Sequence, residues 1–207
     1  KSAVYLPRPG RADKPSQLVN SKSPWIFYPS VGLSAIVTDL LSDNLRQSIS
    51  PVLGFLKVRA SYTEVGSPIP YTGLTPGTIT HSIEGGVIKP FKYYPLPELK
   101  PERTRSYEIG IDSKWLNNTV SLGVTLYKSN TYDQLLQAKL SETSGYDYMF
   151  VQAGNVENRG IELTLGYDQT FGNFSYSTSL TATANRNKII ELASDVKNPV
   201  TGETLDL

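Results

Sequence analysis

Strict two-residue alternation of apolar and polar positions runs through four segments of the chain. Leu56, Val58, Ala60 and Tyr62 alternate with Lys57, Arg59, Ser61 and Thr63. Tyr107, Ile109, Ile111 and Trp115 alternate with Ser106, Glu108, Gly110, Asp112 and Lys114. Val120, Leu122, Val124 and Leu126 then alternate with Thr119, Ser121, Gly123 and Thr125, and Ile161, Leu163, Leu165 and Tyr167 with Gly160, Glu162, Thr164 and Gly166. Successive side chains of a strand point to opposite faces, so each segment predicts a strand with one apolar and one polar face. Only Ser113 interrupts the apolar set. Residues 27–37 and 174–185 alternate less cleanly and complete a set of six antiparallel strands, several of about 10–12 residues. Residues 40–46 could hold a helical turn.

The predicted connections are lopsided. Asn117-Asn118 tolerates the positive φ of a tight hairpin, and a short turn around Gly172-Asn173 joins the last two strands. Long loops are expected from Gly66 to Arg105 and near Asn130 to Asn155. If strands run up and down, the tight turns lie on one side and both long loops on the other. The link from Thr38 to Phe55 falls on the short-turn side. Such asymmetry, strands long enough to cross a hydrocarbon layer, and aromatics near the tight turns (Trp115, Tyr167, Phe174, Tyr176) favour an outer-membrane barrel. A soluble β-sandwich with aromatic core plugs would alternate too, and stays open on pattern alone.

Composition sharpens this choice. The 207 residues include 13 Tyr, 16 Gly and 14 Pro, which is a β-rich composition. There is no Cys, which excludes disulfides and thiolate metal sites, and a single histidine, His81. A net charge of +1 gives no pull toward nucleic acid. A mildly polar average is also what alternating lipid-facing and lumen-facing residues yield.

Four stretches resemble the C-terminal part of the SusC/RagA-type TonB-dependent outer-membrane transporters: YPSVGLS at 28–34, LKVRASY at 56–62, LKPE at 99–102 with EIG at 108–110, and AGNVENRGIE at 153–162. The resemblance implies a 22-stranded barrel plugged by an N-terminal domain. It also implies import of oligosaccharides or oligopeptides with energy from TonB, a SusD-like lipoprotein lid, and the outer membrane of a Gram-negative bacterium. Within those stretches Arg59, Glu102, Glu108, Gly110, Asn155, Asn158, Gly160 and Glu162 are expected to be structural, and Glu98, Glu102 and Glu108 are expected to anchor a strand start. Residues 1–207 are expected to be one part of such a barrel, with plug, TonB box and remaining strands outside it.

No catalytic constellation, metal site or cofactor loop is expected. Binding is expected in the long loops, where His81, Tyr93, Tyr94, Tyr146, Tyr148 and Phe150 offer flat rings with polar edges that suit sugars or a protein partner. The same rings could instead only pack the loops together. The run from Lys89 to Pro101, with its four prolines, is expected to be extended and stiff.

Overall fold

A computed structural model describes residues 3–67, 82–89, 93–94, 99–141, 144, 146–192, 197, 202 and 204. Six long strands dominate: β3 (Ile26–Ile36), β4 (Leu53–Ser67), β7 (Glu102–Trp115), β8 (Val120–Lys139), β9 (Tyr148–Phe171) and β10 (Phe174–Glu191). They pair antiparallel in sequence order. Two short strands that the alternation does not mark, β1 (Val4–Tyr5) and β2 (Gly10–Asp13), both pair with β3. A small separate hairpin, β5 (Ser82–Glu84) with β6 (Val87–Lys89), interrupts the first long connection. Helices α1 (Val37–Leu40) and α2 (Asp43–Ile49) occupy the link between β3 and β4, overlapping the expected helical turn.

The register converts alternation into two continuous faces. One lateral row reads Leu33, Ala60, Ile109, Leu126, Ile161 and Ala184 across six strands, and the next reads Ala35, Val58, Ile111, Val124, Leu163 and Ala182. This apolar face is exposed: Ile109 is 57% accessible and Leu180 62%. A sandwich would bury it under a second sheet. No such layer exists among the described residues, so the wall of a membrane barrel is the arrangement that accounts for it. Within the four strictly alternating segments Ser113 is the one polar residue of this face, and it is 4% exposed. Its hydroxyl donates to the Leu122 carbonyl and accepts from Trp115 Nε1 at 2.8 Å, so this hydroxyl is not left bare toward lipid.

The tight turns gather at one edge. Leu116, Asn117 and Asn118 all take positive φ, of 53°, 56° and 67°. The α1–α2 link packs onto this turn through Leu116 N–H to Val52 O and Asn117 N–H to Pro51 O. Tyr167 and Tyr176 lie nearby with ring centroids 6.1 Å apart, as an interfacial girdle requires.

At the opposite edge one expectation is corrected. Residues 130–139 and 148–155 are strand, because β8 runs on to Lys139 and β9 begins at Tyr148. The alternation breaks there because the ladder bends without losing register. Asp133 (φ 55°) and Gly154 (φ 92°) are the two kinked residues, flanked by the pairs Tyr132–Asn155 and Gln134–Ala153. Leu135 N–H, just past the bend, donates to Glu102 Oε1 at 3.0 Å. A small buried cluster of Leu18, Ile26, Tyr28, Leu99 and Phe150, with Leu135 against it, braces this extension.

A polar lumen-side patch and an aromatic mouth

The residues that carry the family resemblance converge on the polar face. Arg59, Gly110 and Glu162 share one row with Ser34, Thr125 and Thr183. The adjacent row holds Gly32, Ser61, Glu108, Tyr127, Gly160 and Asn185, and the next holds Asn158. Six residues from three sequence-distant segments, on β4, β7 and β9, are thus brought onto three neighbouring rows. Alternation places them on the polar face but says nothing of their mutual alignment, which depends on register.

Arg59 organises the patch. It pairs with Glu108 through Nη1, lies 3.5 Å from Asp112 Oδ2 through Nε, and donates from Nη2 to Thr125 Oγ1 at 2.7 Å. The side chain crosses from β4 over β7 to β8, and it can do so because Gly110 lies beneath it. A Cβ on Gly110 would stand 2.6 Å from Arg59 Nε. Glu108 therefore belongs to a mid-strand ion-pair network, which corrects its expected place at a strand start. Glu102, by contrast, does open β7 and anchors the Leu135 amide.

Because these charged groups remain over a third exposed, the network adds little to stability. Arg59→Met is expected to destabilise the full-length barrel by at most about 1 kcal/mol, with the difference shrinking in molar salt. Denaturant titrations in detergent at low and high salt check this.

Asn155 accepts from Asn130 Nδ2 at 2.8 Å, tying β8 to β9 beside the bend. Asn158 Oδ1 is buried without a hydrogen-bond partner among the described residues. Gly160 sits directly under the Tyr127 ring and against the Ala184 carbonyl. Glu162 is exposed on the polar face, opposite Thr125.

The aromatic residues of the two long connections do meet. Tyr93 packs on Phe150 (centroids 5.2 Å) and Tyr148 (6.0 Å), and Tyr94 meets Tyr146 edge-on at 5.2 Å. The Tyr94 amide donates to the Tyr148 carbonyl at 2.8 Å, fixing the first connection to the end of β9. Tyr93 remains 40% exposed, whereas Phe150 is buried in the bracing cluster. His81 lies outside the described residues.

A cavity of about 780 Å³ opens beside this mouth, between β2 and the ends of β3 and β4. Arg11, Asp13, Lys14, Tyr28, Thr63 and Glu64 are among its lining residues, with Arg11 Nε 2.8 Å from Asp13 Oδ1. The strand pairing that builds it, Gly10–Asp13 against Ile26–Pro29, carries no two-residue alternation, so nothing in the pattern announces it. Among the described residues, no group of three His, Cys, Asp or Glu side chains could hold a metal ion.

A sequence profile described as TonB dependent receptor-like, beta-barrel, matches residues 9–205. TonB-dependent receptor P26 of Formosa agariphila is 25% identical, over 93% of this chain and 20% of the relative. TonB-dependent receptor P3 of the same organism is 27% identical, over 81% and 17%. The chain thus spans about a fifth of the length of the curated relatives it matches. Among solved structures, the RagAB peptide importer in its open-open state superposes with a TM-score of 0.78 at 20% identity, covering 97% of this chain and 22% of that one. The siderophore receptor PirA from Pseudomonas aeruginosa gives 0.55 at 16% identity, over 91% and 32%. At such identities the structural likeness concerns the fold. Together with a profile match that runs nearly end to end, it leads to one conclusion: this chain belongs to the TonB-dependent receptor-like β-barrel family.

Proposed function

We propose that the chain is part of the wall of an active outer-membrane importer of oligopeptides or oligosaccharides in a Gram-negative bacterium. In this reading TonB supplies the energy through a plug outside residues 1–207, and a SusD-like lipoprotein covers the mouth at the Tyr148 end of the sheet. The observation that carries the reading is the two-faced wall itself. An exposed apolar belt backs a polar face built around Arg59, and the same sheet runs on to the tyrosines at one rim. The fold likeness to RagAB, which is described as a peptide importer, favours peptides as cargo. Tyr93 and Tyr146 offer ring faces and hydroxyls suited to either class.

Uptake by cells carrying the full-length protein tests this. Deletion of the gene should abolish uptake of a labelled oligopeptide or oligosaccharide pool, and loss of TonB should do the same. Tyr93→Ala should raise the half-saturating concentration roughly three- to tenfold, the worth of one aromatic contact. Uptake that persists without TonB would overturn the importer reading.

A further inference from the structure

The apolar face changes character sharply toward the mouth. The row above Leu126, Ile161 and Ala184 reads Val31, Tyr62, Tyr107, Lys128, Arg159 and Arg186. Tyr62 and Tyr107 pack at a tilt with centroids 5.1 Å apart on its β4–β7 half, and three cations line up on its β8–β10 half. The row beyond reads Glu64, Arg105, Asn130, Glu157 and Lys188 from β4 to β10. Glu157 contacts both Lys128 (2.9 Å) and Arg159 (3.7 Å), and Glu64 contacts Arg103 (3.0 Å) and Arg105 (3.7 Å). These two acids leave the strip with a positive surplus, and Arg186 and Lys188 form no ion pair among the described residues. All of these cations point outward, on the lipid side of the wall.

Their height fits a membrane boundary. On β10 the lipid face runs from Tyr176, at the tight-turn girdle, to Arg186. Ten residues at about 3.3 Å each, tilted by about 40°, give roughly 25 Å, the height of an outer-membrane apolar band. The cations therefore sit where the headgroups of the outer leaflet begin. Beneath them the sheet carries an open groove of about 520 Å³. Leu126, Ile161 and the short Ala184 line it on one side, and Lys128, Arg159 and Arg186 on the other.

From this geometry we infer that the strip binds the phosphate-bearing headgroup of an outer-leaflet lipid, with an acyl chain lying in the groove. Charge complementarity selects phosphate, and the apolar half selects a lipid over a free anion. The inference rests on the outer-membrane reading but not on the cargo. Lipid binding and solute uptake are separate readouts, so either can fail alone.

The test uses the full-length protein purified in detergent and exchanged against diphosphorylated lipid A, fully dephosphorylated lipid A, or inorganic phosphate. Retention of lipid and the rise in unfolding temperature are measured for each. The wild type should retain the diphosphorylated lipid and be stabilised by it, and should ignore the other two. A basic residue near an anionic lipid surface is worth about fivefold in affinity. The triple variant Lys128→Gln, Arg159→Gln, Arg186→Gln should therefore bind roughly ten- to a hundredfold more weakly, whereas Lys57→Gln on the lumen side should bind as the wild type does. Equal binding of the dephosphorylated lipid, displacement by inorganic phosphate at matching concentration, or an unaffected triple variant would overturn the assignment. The first two arms need only the wild type, so a variant that misfolds does not rescue the idea.

Discussion

Leu163→Arg is expected to destabilise the full-length barrel in lipid vesicles by about 2–4 kcal/mol. Thr164→Arg, one residue on, is expected to stay within about 0.5 kcal/mol of the wild type. Leu163 lies at mid-belt between Val124 and Ala182, with apolar residues two positions away in both directions along its strand. An arginine there must either desolvate its charge in hydrocarbon or bend lipid and backbone to reach water. Thr164 faces the lumen beside Gly123 and close to Asp112, where a guanidinium meets water and an acid. Reversible denaturant unfolding of both variants, with heat-modifiable gel mobility as the check on folding, measures the contrast. Equal losses would mean that the two faces of β9 are wrongly assigned.

The second large effect is steric. Gly160→Ala should cost about 1–3 kcal/mol, and Gly160→Val should leave little folded barrel. A Cβ at this position would stand 2.5 Å from the Ala184 carbonyl oxygen and 2.5 Å from the Tyr127 hydroxyl. The ring can swing aside, but the carbonyl is held in the β9–β10 ladder and cannot. Adding Tyr127→Ala to Gly160→Ala should therefore recover only part of the loss, a non-additivity that a double-mutant cycle in the same unfolding assay resolves. Complete recovery would show that the ring was the sole obstacle.

Much of the wall was legible because a transmembrane sheet writes its two environments into alternate residues. Ile109 and Ile111 against Glu108 and Gly110 already divide lipid from lumen, and Asn117-Asn118 marks the hairpin that sets β7 against β8. What alternation cannot carry is lateral alignment. Arg59, Gly110 and Glu162 are about 50 residues apart from one to the next, and only the summed registers of four strands put them in one row. The same holds for Lys128, Arg159 and Arg186, which read individually as ordinary strand-end charges. The upper halves of β8 and β9 were hidden for a different reason. Above the belt both faces meet water or protein, so Asn130 to Tyr132 and Asn155 to Asn158 lose the contrast that reveals a strand. His81, Glu98 and most of the first long connection lie outside the described residues. The aromatic pairing of Tyr94 with Tyr146 needed tertiary contact to be seen at all.

The bend at Asp133 and Gly154 divides labour within a single hairpin. Up to Leu126 and Ile161 the outward positions of the ladder are constrained by hydrocarbon, and from there to the bend they carry Lys128, Arg159, Asn130 and Glu157. Above it the same ladder runs on in register to Lys139 and Tyr148, clear of the apolar belt and held by Glu102 and the Leu99–Phe150 cluster. Since the direction of this extension is set at the bend and by its brace, exposed positions such as Gln137 and Lys139 can change without moving the platform that presents them. Relatives built on the same wall can thus diversify what they touch while conserving how they stand in the membrane.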